Sequence, residues 1–216
     1  MKRILFVFMV IFSILSNSAY AQQQTAKSDF RIYGLVALPL GDFGDDEGAN
    51  EDGYAKMGFG IGAEYTLLIT PPGLMWATSA SVIVNGCDVS NVFDAEALGV
   101  WTNAPILTGL KYQAEISSKH DIYGLGQIGV NFIKPPSFEF SDGDRISYDM
   151  STSFGFSIGG GVIMDNGINV GIQYFNLGKP EIKGSWEGSF DITFEEEQPV
   201  SIFVVTVGIP VSNFKD

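Results

Sequence analysis

The chain has 216 residues, 45% of them hydrophobic, and a net charge of −13 from 25 acidic and 12 basic side chains. That balance argues against a nucleic-acid partner, whose phosphates need a basic surface, and a single cysteine, Cys87, leaves no internal disulfide to hold the fold. Twenty-six glycines and 17 phenylalanines, with few helix-favouring charged runs, point to β structure.

At the N-terminus Lys2 and Arg3 precede an apolar stretch from Ile4 to Leu15, broken only by Ser13, and Ala19-Tyr20-Ala21 follows. Basic head, apolar centre and small residues at the cleavage positions form a secretory signal, so residues 1–21 are expected to be removed. Residues 22–216 are then expected to form one domain. The apolar stretch is shorter than the roughly 20 residues a helical span needs. Cys87 lies far from the cleavage point, which argues against a lipoprotein and leaves Cys87 as a plain loop thiol.

Eight strands are predicted, at 30–38, 56–69, 74–85, 104–116, 122–133, 151–164, 168–177 and 200–211. In the second, Met57, Phe59, Ile61, Ala63, Tyr65 and Leu67 share one face, and Gly58, Gly60, Gly62, Glu64 and Thr66 the other. The sixth sets Phe154, Phe156, Ile158, Val162 and Met164 against Gly155, Ser157, Gly159 and Gly161, and the seventh sets Ile168, Val170, Ile172 and Tyr174 against Asn169, Gly171 and Gln173. A strand shows its side chains with a period of two, so each has one apolar face and one small or polar face. The fifth and eighth are apolar on both faces. A soluble barrel would carry Lys and Glu on its outer face; glycine and serine opposite an apolar face fit lipid outside and a narrow polar interior.

The connections alternate. Thr70-Pro71-Pro72-Gly73, Ser117 to Asp121, and Asp165-Asn166-Gly167 are short, and the last carries the Asn-Gly of a tight hairpin. Residues 40–55, 86–103, 134–150 and 178–199 are long. Long connections at one end and tight turns at the other describe an all-β, eight-stranded antiparallel up-and-down transmembrane β-barrel. Charge follows the same division. Without Lys2 and Arg3 the net is −15, and the four long connections hold 19 acidic and 4 basic residues, the whole of that imbalance.

With the apolar faces outward, Arg31, Glu64, Lys111, Glu115, Gln127 and Gln173 point into the lumen. Eight strands leave an interior just wide enough for side chains to fill, and buried charge is tolerated when paired, so these residues are expected to plug the bore. In the first long connection Asp42, Asp45, Asp46, Glu47, Glu51 and Asp52 lack the ligand spacing of a calcium loop and are expected to be solvated. Phe138-Glu139-Phe140 with Ile146-Ser147-Tyr148, and Trp186 with Phe190, Ile192 and Phe194, read as two hairpins standing above the membrane, their aromatics packed together or offered as a contact surface. The one histidine, His120, falls in a predicted periplasmic turn, away from the outer rim where a barrel hydrolase would place its base, and no Cys/His cluster has zinc spacing. Gly124-Leu125-Gly126 and Gly159-Gly160-Gly161 lack the strand-to-helix transition of a phosphate loop. No catalytic, cofactor-binding or metal residue is assigned, and no cofactor or enzyme activity is expected.

Ala104-Pro105-Ile106-Leu107-Thr108-Gly109-Leu110-Lys111-Tyr112 resembles the fourth strand of small bacterial porin-family barrels. Phe154-Gly155-Phe156-Ser157-Ile158-Gly159-Gly160-Gly161 with Gly171-Ile172-Gln173-Tyr174-Phe175-Asn176-Leu177-Gly178 resembles their sixth and seventh strands, and Val205-Thr206-Val207-Gly208-Ile209-Pro210-Val211 their last. The resemblance implies the barrel architecture of outer membrane protein A without that protein's peptidoglycan-binding domain, and it brings no catalytic residues. The sequence departs from the pattern at its end, where Lys215 and Asp216 follow Phe214. The expected function is that of an integral outer-membrane β-barrel with a structural or surface-interaction role, a plugged lumen and acidic extracellular loops. A barrel subunit of an envelope secretion or transport complex, or a narrow porin, is the alternative. Outer-membrane lipid and a protein at the extracellular loops are the expected partners, and the barrel is expected to be monomeric.

Overall fold

The computed structural model describes residues 28–44, 53–71, 73–89, 95–117, 119–188 and 192–211. The expected signal at 1–21, most of the acidic first connection and Phe190 lie outside the described residues. Eight antiparallel strands close a barrel: β1 (Ser28–Leu40), β2 (Ala55–Thr70), β3 (Leu74–Cys87), β5 (Trp101–Ser117), β6 (His120–Lys134), β9 (Ser151–Met164), β10 (Asn169–Asn176) and β13 (Ser201–Pro210). Each pairs with its sequence neighbour in the wall, and β13 returns to β1 with Arg31 opposite Pro210 and Leu40 opposite Ser201. These are the eight predicted strands, displaced by no more than about three residues at any end. His120 is the first residue of β6 rather than a turn residue, and Cys87 closes β3, half-buried, rather than lying in a loop.

The period of two decides which way each strand faces. Ile61, Phe154, Ile158 and Ile172 point away from the axis and are 72%, 65%, 62% and 54% exposed. Glu64, Ser157 and Gln127, at positions of the opposite parity, are buried. Between the two rims, no outward position of the described strands carries a charged side chain. Such a belt is stable against hydrocarbon, where an Arg or Lys at the midplane costs about 2–4 kcal/mol.

The long connections all leave from one rim and hold five further strands: β4 (Ala95–Leu98), β7 (Ser137–Phe140), β8 (Arg145–Tyr148), β11 (Glu181–Glu187) and β12 (Ile192–Glu197). The two predicted hairpins are present, but they do not stand apart. They join, with β4 added, into one sheet of order β12-β11-β8-β7-β4. That order repeats the wall beneath it. β7 and β8 continue β6 and β9, β11 and β12 continue β10 and β13, and β4 precedes β5. β8 therefore meets β11, Gly184 opposite Tyr148, above the place where β9 meets β10. Backbone bonds from Leu177 N–H to the Val200 carbonyl (2.8 Å) and from Gln198 N–H to the Pro180 carbonyl (3.2 Å) carry the β10–β13 ladder upward into the new sheet.

Candidate functional site

The inward side chains fall into two tiers of unlike character, not one polar network. Toward the short turns the filling is polar. Lys111 is 1% exposed and its Nζ lies 2.5 Å from Glu64 Oε1 and 4.2 Å from the centre of the Tyr123 ring. Arg31 stands directly across from Glu64 in the β1–β2 register, yet its Nε pairs with Asp29 Oδ2 at 2.5 Å. Ser79 donates to Gln127 Oε1 (3.0 Å), Gln173 Nε2 to Ser157 Oγ (2.7 Å), and Tyr123 OH to Asn169 Oδ1 (3.0 Å). Inward glycines make the room: a Cβ on Gly62 would fall 2.4 Å from the Tyr33 ring, and one on Gly171 would fall 2.3 Å from Tyr123 OH. Among these side chains a cavity of about 30 Å³ is lined by Arg31, Tyr33, Glu64 and Gln127 among others, and a wider recess of about 520 Å³ at the short-turn end reaches Asp29, Arg31, Lys111 and Gln113.

Five of the six predicted lumen residues, Arg31, Glu64, Lys111, Gln127 and Gln173, meet here. Glu115 does not: β5 runs past the barrel rim, and Glu115 is exposed beside the bulge that separates it from Ser117. Asp29 takes its place as the second acid. Asp29 was legible as an inward position only once β1 was seen to begin at Ser28, two residues before its apolar alternation.

Toward the long connections the filling is mostly apolar, interrupted by the buried asparagines Asn85, Asn103 and Asn131, with Asn131 Nδ2 donating to Asn103 Oδ1 at 2.9 Å. Leu35, Ile83, Leu107, Ile133, Phe175, Leu177, Ile202 and Val204 converge in one buried cluster that overturns a uniformly polar interior. Their strands are apolar on both faces at that height, so the two faces cannot be told apart by hydropathy. Past β1, a 3-10 turn at Gly41–Phe43 drives Phe43 into the mouth, fully buried, its ring edge-on to Trp101 with centroids 5.4 Å apart. Trp101 Nε1 then donates to the Gly53 carbonyl at 2.8 Å, tying both ends of the first connection over the bore.

The five-stranded sheet has two unlike faces. Ile182 and Tyr148 on one face belong to the core cluster below or pack against it, and the aromatics on this side contact one another. Phe140 stacks on Trp186 at 5.1 Å, and Tyr148 sits edge-on to both Phe138 and Phe194. The dry surroundings push the Tyr148 phenol well above its usual range, with the Glu196 charge adding to the effect, and burial also raises Glu196. The opposite face is polar. Ser147, Ser185 and Thr193 lie in one row across β8, β11 and β12, with Ser147 Oγ 2.8 Å from Ser185 Oγ. Lys183 Nζ reaches Glu195 Oε1 at 2.7 Å. A hydrogen bond with Glu195 holds the Glu181 carboxyl above its ordinary range, and the bond from Lys183 holds Glu195 below it. Among the described residues no group of three or more His, Cys, Asp or Glu is placed to hold a metal ion.

No family model matches the sequence, and no curated protein matches it. Solved structures do. The Neisserial surface protein NspA aligns over 87% of this chain and 99% of its own at 16% identity and a TM-score of 0.56. A major outer membrane protein of Thermus thermophilus aligns over 85% and 98% at 9% identity and a TM-score of 0.55. OprG of Pseudomonas aeruginosa aligns over 86% and 96% at 15% identity and a TM-score of 0.50. At such identities the likeness is one of fold. The closed wall of eight strands and its uncharged apolar belt define an integral outer-membrane β-barrel.

Proposed function

We propose that the protein is a non-catalytic outer-membrane barrel with a closed bore, and that its working surface is the polar face of the five-stranded sheet above the rim. The assembly of that sheet carries the reading. Three separate connections join into one ordered platform whose apolar side is anchored in the barrel core, leaving a polar side free. Solvated loops with no task would need no such order. The two-tier filling supports a platform rather than a pore. Residues 1–21 act as the export signal, and the mature barrel is a monomer in lipid.

Whole-cell protease shaving and labelling test the orientation. A cysteine placed at Ser185 should react with a membrane-impermeant maleimide on intact cells, and one placed at Gln113 should not. Labelling of Gln113→Cys alone would put the sheet on the periplasmic side and overturn the surface role.

A further inference from the structure

Among the described residues, the continuation of the barrel wall above the rim covers five of its eight strands and stops short of β1, β2 and β3. Five wall strands are prolonged or preceded by a strand of the upper sheet, and β12 stands above β13. In the wall, the next strand after β13 is β1. No described strand continues β1 above the rim. It ends at Leu40, and the chain turns inward so that Phe43 can fill the mouth. β12 is consequently the edge of its sheet, bonded to β11 on one side, and Thr193, Glu195, Glu196 and Glu197 lie along it, Glu195 and Glu197 exposed on the polar face and Glu196 on the aromatic side. An open edge of this kind presents unpaired N–H and C=O groups, a template for an added strand.

We propose that β12 is a docking edge that accepts an extended, basic polypeptide segment of another protein as a sixth antiparallel strand. This rests on the surface role proposed above and names the kind of partner. The register gives the partner's pattern. Opposite Glu197, Glu196 and Glu195 it needs three consecutive bases, because like charges directly opposed destabilise a ladder. Opposite Phe194, Thr193 and Ile192 it needs apolar, polar, apolar, since Ile192 is 55% exposed on the aromatic side. Lys183 pairs with Glu195, and Glu181 stands directly across from Glu197 in the β11–β12 register, so the edge carries more acid than base. A second copy of this chain is a poor occupant, because β12 carries no base: antiparallel self-pairing sets Glu195 to Glu197 against Ile192, Thr193 and Phe194, or, shifted, against each other. The chain's first connection is no better, with five carboxylates and no base between residues 45 and 52.

The test uses the refolded full-length protein in detergent and a labelled peptide, Lys-Lys-Lys-Val-Thr-Val, flanked by serines, followed by fluorescence anisotropy. Saturable binding that weakens with salt is expected, and Glu195→Lys with Glu197→Lys should weaken it by about tenfold or more. Two further peptides carry N-methyl groups on one alternating set of residues or the other. A strand pairs through only one of its edges, so one methylated peptide should lose binding and the other keep it. Equal binding of both would reduce the interaction to bulk charge and overturn strand addition, as would failure of the parent peptide to bind. Because binding is read on purified protein, it stands apart from the orientation test: a periplasmic sheet that still takes the peptide would refute the surface role and leave the docking edge intact.

Discussion

At the scale of single residues, the Lys111–Glu64 pair decides how the lower tier behaves. A buried pair is weak evidence of stability in itself, but removing one member strands a charge and typically costs about 3–5 kcal/mol. Glu64→Ala should therefore lower the urea midpoint of the barrel in lipid vesicles, by less than that range if water enters beside the cavity. Lys111→Met combined with Glu64→Leu leaves no charge behind and should recover most of the loss. Independent, additive losses would show that the two side chains do not act as a pair. The exposed trio Glu181, Glu195 and Lys183 titrates differently. Glu181 is raised and Glu195 lowered, so carboxyl NMR should show Glu181 protonating first as pH falls and Glu195 last. The depressed Glu195 contributes stability present above its unfolded pKa and lost as pH falls through its lower folded pKa. The raised Lys183 contributes stability present below its unfolded pKa and lost as pH rises through the folded one. Glu195→Gln should bring Glu181 back toward its ordinary range; an unmoved Glu181 would refute the hydrogen bond as the cause.

At the scale of elements, parity is the strongest constraint, since a slip of one residue would exchange the faces of a whole strand. Ile172 looks outward, while Gln173 looks inward to Ser157. Ile172→Arg should cost about 2–4 kcal/mol or block insertion, and Gln173→Leu about 1 kcal/mol for its lost hydrogen bond. Equal damage, read from heat-modifiable migration on gels and urea titration, would mean the register is wrong. Parity also explains what was legible beforehand. Strands such as β2 and β9 alternate isoleucine and phenylalanine with glycine and serine, so their existence, extent and facing could be read directly. Where both faces are apolar, as around Leu107 or Ile202, hydropathy carries no sign of direction, and the apolar upper tier stayed hidden. Glu115 was misplaced because parity says which way a residue points but not whether the wall still surrounds it. The pairing of two hairpins through Gly184 and Tyr148 rests on contacts between segments about 36 residues apart, and no local pattern announces it.

At the scale of the molecule, the closed bore proposed above sets the two tiers in series. An ion crossing the barrel must pass Phe43, Trp101 and the apolar cluster beneath them, then the Lys111–Glu64 constriction. Blocks in series are additive, so opening one leaves the other in control. Wild-type protein in planar bilayers is therefore expected to give no stable conductance. Phe43→Ala with Trp101→Ala should also stay silent. Losing Phe43 removes a fully buried ring, and a Phe→Ala change of this kind costs about 3–5 kcal/mol. Ile83, Leu107 and Ile133 still fill the space below it. Glu64→Ala with Lys111→Ala should be silent for the converse reason, because Phe43, Trp101 and the cluster beneath them still fill the upper bore. Only a barrel altered in both tiers, with Ile83→Ala and Ile133→Ala added to the four substitutions, should show openings, and these should be small and brief in an eight-stranded wall. A steady current through the wild type would contradict the closed bore. A steady current through either single-tier variant would show that one tier alone does the closing, and would move the candidate role back from a platform toward a gated pore.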